Sequence, residues 1–352
     1  MCIRDRYEEE LEKIRTRKRN YTPWQVAIGA GFACGGFCIQ FGCDWMAFLY
    51  ASIAAIIGMR VRAKCNESGL NHYMGIAISA FIATMLAWAS TLLPAEWTST
   101  PWHPLLACAL FIVPGVPLIN FVDDMLDNYI QVGIVRAVNT LLMVSAMAFG
   151  IAFAVKLCSI GDFFPTISMV PHHNYLEYAI AAAISAMGFS MIFNIQRRLL
   201  WVVAIGGIIA VCTRNFVNLG PSTNNIGLDM GLVIGSFSGS VLVSLIAIKA
   251  VHWFHVPNHV LTIPSVIPMI PGVLMYRMLF GLINMNVQSI DQVTPLMKAI
   301  ESGVNSGLVI MCIALGVAIP NIFGRKYIAS SKNKRLAEIL KERKARGKFV
   351  EW

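Results

Sequence analysis

Apolar residues run along this chain in long blocks separated by short polar breaks. The blocks lie at about 24–42, 45–59, 72–93, 104–122 and 132–155. After a more polar stretch at 156–176 they resume at 177–195, 199–213, 227–248, 257–283 and 299–323. A helix rises about 1.5 Å per residue, so roughly 20 apolar residues cross the hydrocarbon of a bilayer. The pattern therefore predicts an all-α, polytopic membrane protein of about ten transmembrane helices, with 45–59 short for a span. Its expected organisation is a charged cytoplasmic segment at 1–23, a five-helix membrane repeat at 24–155 and an external linker at 156–176. A second five-helix repeat at 177–323 and a basic cytoplasmic tail at 324–352 complete it. The tail reads as a helix lying on the membrane surface.

Two of the blocks are interrupted. Phe111-Ile112-Val113-Pro114-Gly115-Val116-Pro117 breaks the fourth, and Ile267-Pro268-Met269-Ile270-Pro271-Gly272 breaks the ninth. Proline removes an N–H and clashes with the preceding turn, so neither stretch can remain a continuous helix. In hydrocarbon, freed backbone groups survive only where protein or a wet cavity meets them. Broken helices at matching places in two halves of a chain point to the substrate site of a transporter.

Other matches support two related halves. Gly36-Phe37 followed by Phe41 corresponds to Gly188-Phe189 followed by Phe193, an offset of 152. Pro114-Gly115 corresponds to Pro271-Gly272 at 157, and Arg136-Ala137 to Lys298-Ala299 at 162. Each half holds five spans, an odd number, so the halves are expected to enter the membrane in opposite senses.

Composition sharpens this reading. The chain is 57% hydrophobic and 13% charged, too little charge for the surface of a soluble domain of 352 residues. The net charge of +9 could suggest nucleic acid, but no basic patch with interleaved aromatics occurs. Threaded from a cytoplasmic N-terminus, 23 of the 28 Lys and Arg fall inside and only Lys156 and Arg214 outside. That bias is the expected orientation signal, with both termini cytoplasmic. The nine cysteines lie mostly in apolar blocks without a CxxC pair and read as small packing residues. Met1 to Arg6 fits neither a targeting signal nor the helix after it and reads as foreign sequence before a truncated region.

Few groups offer chemistry. Gly227, Gly231, Gly235 and Gly239, beside Ser236, Ser240 and Ser244, read as a helix-packing stripe. His252, His255 and His259 have helical spacing, but Pro257 intervenes and no carboxylate is near in sequence, so they read as interfacial. Asp124 is placed to accept a proton or to pair with Arg136. Glu301, inside the last span, is a second candidate for proton coupling, since ionisable groups in spans usually face a cavity or partner. Arg277 and Lys298 could equally snorkel to an interface. No Walker A loop, HExxH or nucleophile elbow occurs. The chain is therefore read as no enzyme, with no cofactor and no metal site.

At Pro114-Gly115, Asn120, Asp124, Gly133 and Arg136 the first half resembles the membrane part of the N-terminal domain of the threonine/serine exporter family. At Phe193-Asn194, Arg197-Arg198, Ile267 to Gly272 and Tyr276-Arg277 the second half resembles the family's C-terminal domain. The resemblance covers roughly residues 13–323. It implies a bacterial inner-membrane exporter of threonine and serine driven by the proton gradient. Family members usually carry a longer cytoplasmic region before the first span, and often a second acid shortly after the position of Asp124, where Tyr129 stands here. Some relatives, split into two chains, are associated with dicarboxylate export.

The sequence reading is thus a secondary exporter of small polar amino acids, with a dicarboxylate or organic-acid exporter as the alternative. A passive channel and an intramembrane enzyme are further classes. The candidate substrate site comprises Pro114, Gly115, Asn120, Pro268, Pro271, Gly272, Tyr276 and Arg277, and the proton-coupling set is Asp124, Arg136 and Glu301. Its partners are the bilayer and the small-molecule substrate, with no nucleic acid; the sequence leaves open whether the chain forms a homo-oligomer. Labelling of single-cysteine variants should find position 172 outside and position 335 inside. Both on one side would sink the ten-span threading.

Overall fold

The computed structural model describes residues 3–16, 19–92, 97, 99–158, 173–221, 226–283 and 293–345. Every regular element among them is helical. A charged helix α1 (Ile3–Arg15) precedes the first half, which contains α2 (Pro23–Gln40), α3 (Trp45–Glu67), α4 (His72–Trp88), α5 (Pro104–Ala107), α6 (Gly115–Leu126) and α7 (Ile130–Leu157). The second half contains α8 (Tyr175–Ile192), α9 (Leu200–Asn218), α10 (Leu232–Phe254), α11 (Asn258–Val266), α12 (Gly272–Ile283) and α13 (Val293–Ala345).

Seven helices among the described residues are long and apolar enough to cross a membrane, or eight if a pair bent by 55° at the second proline-glycine break counts as one span. This is a polytopic membrane architecture, and not every block read as a span forms a helix of that length and apolar content among the described residues. Glycines and terminal glutamines dilute the apolar content of α2, which has 18 residues. In the first broken block, α5 starts at Pro104 and is only four residues long. The second block behaves oppositely: α3 continues past the predicted end at residue 59 to Glu67.

The two halves meet through α2 and α8. Both begin with reciprocal side-chain and backbone bonds, Thr22 with Gln25 and Asn174 with Glu177, again 152 residues apart. The helices run antiparallel. At one end the Asn20 backbone N–H donates to Asn194 Oδ1 at 2.8 Å, and the Asn20 side-chain amide donates to the Asn194 carbonyl at 2.8 Å. At the other end His173 Nε2 lies 2.8 Å from the Cys43 carbonyl oxygen. Between these ends Gly29, Gly36 and Gly188 let the backbones close together, because a methyl group at Gly188 would fall on the Gly29 carbonyl. The equivalent rings Phe37 and Phe189 stack edge to face at 5.8 Å.

The small-residue stripe is shorter than its spacing suggests. Gly227 and Gly231 precede α10, and Gly231 has φ +88°, a backbone conformation suited to glycine. Gly235 and Gly239 do lie on the helix, where added methyl groups would each sit 2.6 Å from a carbonyl oxygen of α9, those of Arg214 and Ala210. The basic tail also differs from its expectation. Residues 325–345 belong to the same helix as the last span and prolong it by about 30 Å, instead of forming a separate surface helix.

Gly235→Leu should lower the unfolding midpoint in detergent and broaden the gel-filtration peak, at a cost of about 3 kcal/mol, because a backbone carbonyl cannot yield as a side chain can. Gly307→Leu, where nothing lies within 4 Å, should leave both unchanged. Equal behaviour of the two variants would assign the α9–α10 contact no part in stability.

Candidate functional site

The two interrupted segments fold alike. Leu110–Ile112 and Ile267–Met269 each form one 3₁₀ turn, followed by a residue, a proline and a glycine that opens the next helix. Val113 N–H bonds to the Leu110 carbonyl at 3.1 Å and Ile270 N–H to the Ile267 carbonyl at 2.9 Å. Gly115 N–H then reaches the Val113 carbonyl at 2.8 Å, and Gly272 N–H the Ile270 carbonyl at 2.9 Å. Pro114, at φ −77° and ψ 62°, has the geometry of the centre of an inverse γ-turn. Leu118 and Met275 resume helical bonding to the Pro114 and Pro271 carbonyls. All three bonds recur at the same offset of 157.

The breaks also touch each other reciprocally. A methyl group at Gly115 would lie 2.9 Å from Ile270 Cδ1 and 3.1 Å from Ile267 Cγ1, and one at Gly272 would meet Leu110 and Val113. In each case the contacted residues stand five and two positions before the other glycine. Glycine is needed here because any side chain would separate the two breaks.

The first turns of α6 and α12 carry the chemical consequence. The first N–H groups of a helix have no partner within it, and that end bears a partial positive charge. The γ-turns take up Gly115 and Gly272, and Pro117 has no N–H. Val116, Val273 and Leu274 are therefore the donors that these two helix starts can offer an anionic group. On the preceding side, the Phe111 N–H is met by Cys34 Sγ at 3.2 Å, while the Cys34 thiol points to the Cys108 carbonyl at 3.7 Å. The sequence reading took the cysteines as packing residues and missed this use of Cys34. No local signal could show it, since Cys34 and Phe111 are 77 residues apart.

Pro114, Gly115, Pro268, Pro271 and Gly272 are all buried at this crossing. Tyr276 is buried one turn into α12, with its hydroxyl donating to Met147 Sδ at 3.3 Å. Asn120 and Arg277, equivalent at the offset of 157, are half-buried on α6 and α12. Asp124 and Arg136 come together as the spacing predicts, 2.6 Å apart at the far end of α6. Glu301 does not join them: it is exposed on α13 and has no ion pair among the described residues. Asp123 supplies a link that sequence reading missed, its carboxylate 3.8 Å from His259 Nε2 across the two halves. The His252 side chain, Pro165, Pro171 and His172 lie outside the described residues.

A family model described as "Putative threonine/serine exporter" matches residues 4–158, and one described as "Threonine/Serine exporter, ThrE" matches residues 178–323. The chain is 28% identical over 150 residues to the "Probable succinate transporter subunit YjjP" of Klebsiella aerogenes, covering 43% of this chain and 57% of that protein. It is 29% identical over 137 residues to the protein of the same name from Escherichia coli K12, covering 39% and 53% respectively. The chain spans about half the length of the curated relatives it matches. No solved structure matches it.

Cys34→Ala should orphan the buried Phe111 N–H and cost about 1–3 kcal/mol. Cys34→Ser keeps an acceptor and should cost less. Thermal unfolding of the two variants in detergent checks the order; a serine variant no more stable than the alanine variant would remove this role from the sulfur.

Proposed function

Because the chain belongs to the threonine/serine exporter family, we propose that it is a secondary active exporter of small polar amino acids, threonine and serine, in a bacterial inner membrane and driven by the proton gradient. The observation that carries the proposal is the reciprocal crossing of the two proline-glycine breaks. Two half-helix starts converge there with donors at Val116, Val273 and Leu274, suited to a carboxylate. The 3₁₀ turns that end at the same crossing bring carbonyl oxygens, suited to an ammonium group. A zwitterion is matched by backbone alone, without charged side chains at mid-membrane.

In the conformation described, Leu110, Val113, Ile267 and Ile270 pack the crossing closed. Substrate enters when the two breaks separate, alternately towards each side. Halves of inverted topology would give that motion its symmetry, and the antiparallel pairing of α2 with α8 supports this reading. The Asp124–Arg136 pair is the proton-responsive element in this proposal: protonation of Asp124 releases Arg136. Glu301, exposed on α13, is the weaker candidate.

A dicarboxylate is the second reading. Two positive helix ends directed at one site suit two carboxylates as readily as one, and the relatives are named as probable succinate transporter subunits. Counterflow of labelled threonine against labelled succinate in proteoliposomes separates the two. Threonine exchange that collapses with an uncoupler supports the first, and succinate exchange alone supports the second. Flux that fails to saturate would make the protein a channel and remove both.

The breaks themselves are tested by replacing Pro271-Gly272 with Ala-Leu and by Pro114→Ala. Transport per inserted molecule should fall at least about tenfold in the double variant, as expected when about 1.4 kcal/mol of binding is lost. Unchanged flux in both variants would reduce the breaks to packing kinks.

A further inference from the structure

An apolar cleft of about 170 Å³ opens between α9, α10 and α11, lined by Trp201, Ile209, Ile246, Trp253, Phe254 and Leu261 among others. Gly206 and Ala250 keep its walls thin. The one polar side chain on its floor, Ser265, turns its hydroxyl to the Leu261 carbonyl at 2.7 Å and the Val203 carbonyl at 3.3 Å. A polar metabolite gains nothing in such a cleft; a hydrocarbon chain does.

The start of α9, the end of α10 and the start of α11 lie at one end of this cleft, flanked by Lys249 on α10 and Arg198 at the turn before α9. Trp201 and Trp253 are exposed there, where indole rings favour the membrane interface. Trp201 also closes edge to face on Phe254 at 5.5 Å, joining α9 to α10 across the mouth. Lys249, one turn before Trp253, is exposed and has no ion pair among the described residues. Arg198, at the turn that opens α9, is exposed and bonds to Gln196 at 2.8 Å, which leaves further N–H groups of its guanidinium to donate. Arg197 is occupied instead with the Asn20 carbonyl and Gln25. Lys249, near the end of its span, carries its ammonium group towards the interface, where an anion can meet it. A basic mouth above an apolar cleft has the form of a site for an anionic lipid.

We propose that this cleft binds an anionic glycerophospholipid of the cytoplasmic leaflet, with an acyl chain along the apolar walls and the phosphate between Lys249 and Arg198. The site has a structural route to transport. Leu261 and Ser265 belong to α11, which leads directly into the second break and its 55° bend. A chain lodged between α11 and the α9–α10 pair steadies the half-helix that must move when the crossing opens.

Native mass spectrometry of the whole purified protein reads the retained lipid, and thermal unfolding with added dioleoyl phosphatidylglycerol or dioleoyl phosphatidylcholine reads the headgroup preference. The wild type should retain one anionic phospholipid per chain and be stabilised by several degrees more by phosphatidylglycerol. Lys249→Glu, at an exposed position, should abolish that preference. Ile209→Trp, which fills the cleft, should lose the retained lipid whichever headgroup is supplied. Equal stabilisation of the wild type by both lipids would overturn the proposal, as would retention that persists unchanged in both variants.

Discussion

A peptide group that loses its helical partner inside a bilayer costs several kcal/mol unless the protein supplies another. Pro114 and Pro271 create that condition twice, and much of the membrane core is arranged around meeting it. The γ-turns absorb the glycine N–H groups, Cys34 absorbs that of Phe111, and each break lies against the other so that neither faces lipid. The donors left over at Val116, Val273 and Leu274 are those that a substrate can take up. The same constraint therefore accounts for the burial of the crossing and for its proposed chemistry.

The crossing depends in turn on how the halves are joined. Gly29, Gly36 and Gly188 bring α2 and α8 into backbone contact, and bonds at both ends fix their antiparallel sense. Correspondence between the halves breaks down where function would need asymmetry. The end of α6 carries Asp123, Asp124 and, through α7, Arg136, whereas the matching stretch of α12 has Phe280 and Gly281. His259 reaches across to Asp123 from the half that lacks those acids. The acids, the arginine and the histidine thus gather at one end of the molecule, where the two halves differ in sequence.

Much of this was legible in the sequence, because proline, glycine and long apolar blocks act locally. The breaks, the offset of 157 and the Asp124–Arg136 pair follow from chemistry within a few turns. What stayed hidden was tertiary. The sulfur contact at Phe111 and the histidine contact at Asp123 join residues far apart in the chain, and the reciprocal packing of Gly115 and Gly272 has no local signature. The helical glycine stripe was over-read for a related reason: spacing of four does not reveal that α10 begins only after Gly231. The continuous α13 was missed because a basic composition fits a surface helix and a prolonged span equally well.

The central claim is that freed backbone N–H groups at the two half-helix starts hold the substrate. Hydrogen–deuterium exchange of the whole reconstituted protein observes those groups themselves. With saturating transported substrate, peptides containing Val116 and containing Val273 and Leu274 should exchange more slowly, both by a similar factor, while peptides from the exposed face of α7 do not change. Unaltered exchange at both helix starts, in a preparation that transports the same substrate, would contradict the account.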